Sequence, residues 1–153
     1  MRVAIALGSN LGDRLAHLHY ALEQLQPSLG DLRVSSIIET EPVDVDEPQP
    51  PYLNAVVVGE TSLTPDEVLA ELMRIERARG RRRPSRHAAR TLDLDVILYG
   101  DQVMESAALT VPHPRFRERR FVLGPLAEVA GEWVDPGTGR TVRELLMCLR
   151  LEA

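Results

Sequence analysis

Between Val3 and Tyr99 short apolar, β-branched runs alternate with two segments whose apolar residues recur every third or fourth position, and this order limits the folds open to the chain. Val3 to Leu7, in "VAIALGSNLGD", reads as a buried strand ended by Gly8, with Asp13 as N-cap of the next segment. Leu15, Leu18, Leu22 and Leu25 then share one face of a helix that stops before Pro27. "LRVSSIIET" and "YLNAVVVGETSL" are rich in β-branched residues and read as two strands. The loop between them, "EPVDVDEPQPP", holds four prolines and four acids and is expected to be extended and exposed. "LTPDEVLAELMRIERARG" begins with Thr64 as N-cap, Pro65 at the first helical position and Glu67 three residues after the cap; Val68, Leu69, Leu72 and Ile75 form its apolar face, and Gly80 ends it. A basic loop, "RRRPSRHAAR", leads into the strand "TLDLDVILYG".

Strand, helix, strand, strand, helix, strand is the order of a split β-α-β domain. The expected fold is therefore α+β: a ferredoxin-like βαββαβ core, an antiparallel sheet with both helices on one face, and C-terminal additions around it. Those additions read as the loop "LTVPHPRF", a helix across "RRFVLGPLAEVA" interrupted near Gly124 and Pro125, a hairpin-like "EWVDPGTGRT", and a short final helix from Thr141. No internal repeat or low-complexity linker divides the 153 residues, so one domain over 1–153 is expected.

Charge is unevenly placed. All 18 cations are arginine; eight fall between Arg74 and Arg90 and four between Arg115 and Arg120, against three in the first 73 residues. A solvated helix face and loop is the ordinary reading of such runs. The alternative is a phosphate site, because the guanidinium fork donates two parallel hydrogen bonds. Without lysine there is no Walker A loop, so arginine, backbone amides and metal would have to build it. The net charge of −5 argues against a general nucleic-acid binder. No apolar run approaches the roughly 20 residues of a membrane helix and the N-terminus lacks signal-peptide features, so no membrane partner and a cytoplasmic location are expected. Cys148, alone in "LLMCLR", can form neither an internal disulfide nor a multi-cysteine zinc site, and is expected as a buried thiol.

"RTLDLD" places two carboxylates in an apolar strand. Strand alternation assigns Leu92, Leu94, Val96 and Leu98 to one face and Asp93, Asp95, Ile97 and Tyr99 to the other. The aspartates are then roughly 7 Å apart at Cα and repel each other unless a cation intervenes. One candidate is Arg90 or another arginine at an exposed sheet face. The other is a hard divalent cation, since magnesium commonly takes one or two carboxylates plus substrate phosphates. "GSNLGD" is either a phosphate-binding turn before a helix or simply a turn that needs small residues. His113, between two prolines, is either a fixed ligand contact or a loop residue. Tyr52 and Asn54 share a strand face; with Phe121 they could hold a flat heterocycle, although from spacing alone core packing is the better account of both aromatics.

"GSNLGDR", "TEPV", "YLNA", "RIERARGRRR", "RTLDLDVILYG" and "LTVPHPRFRERRFVLGPL", in that order from Val3 to about Leu146, resemble the 6-hydroxymethyl-7,8-dihydropterin pyrophosphokinases of folate biosynthesis. The resemblance implies transfer of pyrophosphate from ATP to the hydroxymethyl group of 6-hydroxymethyl-7,8-dihydropterin, with release of AMP. It implies two Mg2+ ions held by Asp93 and Asp95, with Asp95 a candidate to help take the hydroxyl proton. Glu76, Arg81, Arg83, Arg90, Thr110, His113 and Arg119 match ATP-contacting positions, Arg81 and Arg90 among the catalytic ones. Thr40, Val43, Tyr52, Asn54 and Phe121 match the pterin pocket, Phe121 by stacking and Asn54 by hydrogen bonding to the ring edge. The acidic loop Val43 to Pro51 and the basic loop Arg81 to Arg90 resemble family loops that close over substrates. This chain has His87 and Ala88-Ala89 where the family commonly has Trp and Gly-Pro, and Pro114 after His113 where some members have Tyr.

Two other classes use some of the same features. One is another magnesium-dependent nucleotide-phosphate enzyme with an Asp-x-Asp site, which would release a product other than AMP. The other is a ferredoxin-like RNA-binding module, against which stand the 4% aromatic content and the net charge. A monomer with ATP and the pterin as its partners, and no nucleic acid, is the expectation.

Overall fold

The computed structural model describes residues 1–41, 48–80 and 91–152. The elements are β1 (Arg2–Ser9), α1 (Arg14–Leu25), β2 (Gly30–Val34), β3 (Ile38–Thr40), β4 (Tyr52–Glu60), α2 (Pro65–Ala78), β5 (Asp93–Tyr99), β6 (Met104–Glu105), β7 (Thr110–Val111), α3 (Arg120–Ala130) and α4 (Val142–Glu152). The main sheet runs β2-β4-β1-β5, antiparallel throughout, with β3 also paired to β4. This is the ferredoxin-like βαββαβ order.

β1 lies inside the sheet and is covered on both faces, which is why it is apolar without interruption from Val3 to Leu7. The side chains alternate in size. Val3, Ile5 and Leu7 pack with Leu18, Ala21 and Leu25 of α1 and with Val68, Leu72 and Ile75 of α2. Ala4 and Ala6 face the other way, toward Val122, Leu123 and Leu126 of α3 and Val142 and Leu145 of α4. Each fully buried Leu or Ile contributes about 1.5–3 kcal/mol of transfer free energy, so the two layers together hold the sheet from both sides. No helix among the described residues is long and apolar enough to cross a membrane.

The predicted caps are present. Asp13 Oδ1 accepts from Ala16 N at 3.2 Å, and Thr64 and Glu67 form a reciprocal capping box. Gly80, with φ +76°, follows the end of α2.

Four expectations are corrected. "LRVSSIIET" is two strands, because the Ser35 hydroxyl accepts the Val56 amide at 2.9 Å, while Glu128 of α3 takes both Ser36 N and Ser36 Oγ. α3 is continuous through Pro125: near the helix start the ring removes only the donor that would have met the Phe121 carbonyl. The β5 face assignment holds through Ile97 and fails beyond it, because a bulge leaves Ile97 unmatched between Ile5↔Val96 and Ala4↔Leu98. Ile97 and Leu98 therefore both join the α3 side, and Tyr99 turns to the α1/α2 side, donating its hydroxyl to Leu63 O at 2.5 Å. Cys148 is half-buried beside Arg140 Nη1 at 2.9 Å, because α4 directs Leu145 and Leu149 to the core instead.

Candidate active site

Both β4 and β5 run antiparallel to β1, so they begin where β1 ends. Gly8 consequently lies opposite Asn54 on one side and Asp93 on the other. Directly opposed residues in antiparallel strands share a face, which puts Asn54, Gly8 and Asp93 together, with Tyr52 and Asp95 two residues along on the same face. Two interstrand steps of about 4.8 Å separate Asn54 from Asp93 by about 10 Å. Glycine forms the floor between them. A Cβ on Gly8 would stand 3.3 Å from Asn54 Oδ1 and 3.5 Å from Tyr52 Cδ1, crowding the strip.

Asn54 is buried, and its Nδ2 donates to Thr40 Oγ1 at 2.6 Å. That bond turns Oδ1 toward Gly8 and leaves a carbonyl acceptor facing the strip.

Asp93 and Asp95 are both partly exposed. From the α2 side, the buried Glu76 carboxylate accepts the Leu94 amide at 2.8 Å. β5 is an edge strand, so this bond satisfies an outward amide and fixes the peptide between the two aspartates. The donor set fits magnesium: two hard carboxylates on one strand face, both in reach of solvent, are oxygen ligands of the kind that magnesium takes together with phosphate and water.

The bulge brings in the next group. The carbonyl of its extra residue, Ile97, accepts from His113 N at 2.9 Å and draws the loop after β7 up to the site. Arg115 N donates to His113 Nδ1 at 3.1 Å, so in the neutral ring the proton is on Nε2. Burial first, then the neighbouring Arg119, lowers the His113 pKa to about 4, against an opposing pull from Asp93. His113 is thus a neutral hydrogen-bonding group near neutral pH. Arg119 continues the line, its guanidinium 5.7 Å from the half-buried Phe121 ring. Thr110, partly exposed, opens β7 three residues before His113.

Because the folded His113 binds fewer protons than the unfolded one between about pH 4 and 6.5, its contribution to stability falls as pH drops through that window. His113→Asn, which keeps an acceptor for Arg115 N, is expected to lose less stability than the wild type between pH 7 and 5 in urea unfolding. An equal loss in both proteins contradicts the assignment. His17 shifts in the same direction and leaves a residual slope.

The described residues therefore bring Asp93, Asp95, Asn54, Thr40, Tyr52, His113, Arg119 and Phe121 to one end of one sheet face, with Glu76 beneath. Val43, Arg81, Arg83 and Arg90 lie outside the described residues, as do His87 and Ala88-Ala89. Within "GSNLGD", Gly8 and Ser9 belong to β1, and Asp13 caps the helix. One of its side chains, Asn10, and the Arg14 that follows it had no signal in sequence. Buried Asn10 donates to Gln49 Oε1 at 2.9 Å, and Arg14 Nη1 to Pro51 O at 2.7 Å, fixing the chain that enters Tyr52.

Residues 4–131 match the model of the 7,8-dihydro-6-hydroxymethylpterin-pyrophosphokinase (HPPK) family. The chain is 41% identical over 149 residues to a 2-amino-4-hydroxy-6-hydroxymethyldihydropteridine pyrophosphokinase of Synechocystis, covering 93% of this chain and 73% of that one. It is 46% identical over 127 residues to the like-named protein of Bacillus subtilis, covering 82% and 75%. The fold superposes on a Plasmodium falciparum HPPK-DHPS structure with pteroate at a TM-score of 0.78 and 14% identity, covering 96% of this chain and 44% of that longer one. The family match spans most of the sheet and all of the strip between Asn54 and Asp95, and the chain belongs to the 7,8-dihydro-6-hydroxymethylpterin-pyrophosphokinase family.

Proposed function

We propose that the strip from Asn54 across Gly8 to Asp93 holds the pterin at one end and the ATP phosphates at the other. The reaction of the family transfers the two terminal phosphates of ATP together to the hydroxymethyl oxygen of hydroxymethyldihydropterin, in folate biosynthesis. The single observation that carries the arrangement is the register Asn54↔Gly8↔Asp93, which sets a ring-edge acceptor about 10 Å from a carboxylate pair on one open face.

Asn54 Oδ1 accepts from the amino edge of the pterin, and Thr40 keeps that amide from turning over. Phe121 stacks on the ring, Tyr52 bounds it, and Val43 adds a contact from the acidic loop. The hydroxymethyl arm then points along the strip toward Asp95. Asp93 and Asp95 would hold the two magnesium ions of this scheme. When bound, these ions neutralise phosphate charge and align the hydroxyl with the β-phosphorus. The hydroxymethyl oxygen forms a bond to the β-phosphorus, the bond from that phosphorus to the oxygen bridging to the α-phosphate breaks, and AMP leaves with the electron pair. Asp95 is the nearest candidate to take the hydroxyl proton. Neutral His113 donates from Nε2, and Arg119 supplies positive charge, to the polyphosphate; Thr110 joins them. Arg81, Arg83 and Arg90 supply further cations, and Glu76 acts through the strand it holds. A single domain over residues 1–153 acting as a monomer is sufficient for this scheme.

Incubation with ATP, magnesium and 6-hydroxymethyl-7,8-dihydropterin should release AMP only when the pterin is present. Release of ADP, or of free pyrophosphate, excludes the scheme. Phe121→Ala should weaken pterin binding by about tenfold to a hundredfold and ATP binding by far less, because stacking on a base-like ring is worth about 1–3 kcal/mol. Equal losses for both ligands in a calorimetric titration would remove Phe121 from the pterin subsite.

A further inference from the structure

Asp135 is fully buried and takes no part in the scheme above. It accepts from Arg117 Nε at 2.6 Å, Arg117 Nη2 at 2.8 Å, Thr138 Oγ1 at 2.8 Å and Gly137 N at 3.0 Å. The turn that carries it is closed independently: Asp135 N donates to Arg140 O at 2.8 Å and Gly139 N to Asp135 O at 2.8 Å. Asp135 is therefore a fixed acceptor, and Arg117 meets it as a fork meets a carboxylate.

Arg117 lies in the middle of a single 3-10 turn, Phe116–Glu118, between His113 and Arg119. On its own this turn is weakly closed, by Glu118 N to Arg115 O at 3.1 Å, Arg119 N to Phe116 O at 3.3 Å and Phe116 N to His113 O at 3.4 Å. The guanidinium passes over the Phe116 ring at 4.9 Å before reaching Asp135. Gly137 makes room for it: a Cβ there would lie 2.5 Å from Arg117 Nη2. The four-arginine cluster is thus divided. Arg119 stands against Phe121, Arg120 Nη2 donates to Leu149 O at 3.3 Å, and Arg117 is committed to Asp135.

We infer that Arg117, clamped by Asp135 in the space left by Gly137, is a positioning residue for ATP: it fixes the turn whose two ends present His113 and Arg119 to the polyphosphate together. The inference rests on the reading that His113 and Arg119 contact ATP. A loosened turn has to be ordered again each time ATP binds, which raises the KM for ATP and leaves the pterin KM and kcat nearly unchanged.

Arg117→Ala abandons a buried carboxylate and is liable to unfold, so two milder variants carry the test. Arg117→Lys keeps the charge and loses the fork. Gly137→Ala keeps both partners and pushes Nη2 off Asp135. In each, with near-UV circular dichroism matching the wild type, the KM for ATP is expected to rise about tenfold with the pterin KM within twofold. An unchanged KM for ATP in both folded variants, or equal rises for both substrates, overturns the clamp. Arg119→Ala separates the two levels of the inference. If it leaves ATP affinity intact in calorimetry, the ATP assignment falls and the clamp with it; if it weakens ATP binding while Arg117→Lys and Gly137→Ala do not, only the clamp falls.

Discussion

Asp95→Ala is expected to release AMP at about a thousandth of the wild-type rate or less under saturating magnesium, while unfolding within a few degrees of the wild type. The first half follows from chemistry. Charge neutralisation and alignment do most of the work in transferring a phosphoryl group, and Asp95 supplies one of two carboxylates for the cations that provide them. The second half follows from position. Asp95 is partly exposed, pairs across the sheet with Ala6, and stands two residues from another carboxylate whose repulsion its removal relieves. Asp95→Asn is the sharper variant, because it keeps the volume and removes the charge; it should lose nearly as much activity. Near-normal AMP release from either variant would end the metal role.

What could be read in advance, and what could not, divides by range along the chain. The carboxylate pair, the strand beneath it and the caps of both core helices depend on neighbours within about four residues, and period and capping chemistry expose them. The errors came where a partner was distant. "LRVSSIIET" reads as one strand until Ser35 meets Val56 and Ser36 meets Glu128, 92 residues away. The alternation of β5 holds to Ile97 and breaks at Leu98, because a bulge is a property of two paired strands and leaves no mark in either alone. That bulge also supplies the Ile97 carbonyl that holds His113, so a functional position was visible as a residue type before its cause was.

The same limit explains Glu76 and Arg117. Each falls in a run of charge that composition marks as solvated or ligand-binding, and each is turned inward, one to the Leu94 amide and the other to Asp135. The ligand positions themselves were legible chiefly through the family resemblance. Spacing alone favoured core packing for Tyr52 and Phe121 and left His113 balanced between a ligand contact and a loop residue; the register across Gly8 sets Tyr52 on the strip, and the Ile97 carbonyl draws His113 toward it.

Phe116→Ala is expected to cost about 3–5 kcal/mol of stability, the range for emptying a fully buried phenylalanine site. Phe116 is 0% exposed and packs in the layer formed with Val122, Leu123, Leu126 and Trp133. α3 and α4 press on this layer from one side and the sheet closes it from the other, so the site has little freedom to collapse around the vacancy. A loss of this size is a large share of the roughly 5–15 kcal/mol that holds a domain folded, and for a chain of this length it lowers Tm by about 6–20 °C. Urea unfolding should show a lower midpoint with an unchanged slope, since the surface exposed on unfolding is nearly the same. Function should suffer in a particular way. Phe116 supports the Arg117 guanidinium and begins the turn between His113 and Arg119, so the molecules that remain folded at low temperature should bind ATP less tightly while holding the pterin almost as well. An unfolding free energy within about 1 kcal/mol of the wild type would mean that the layer repacks around the missing ring, and the rigid support assigned to it would have to be given up.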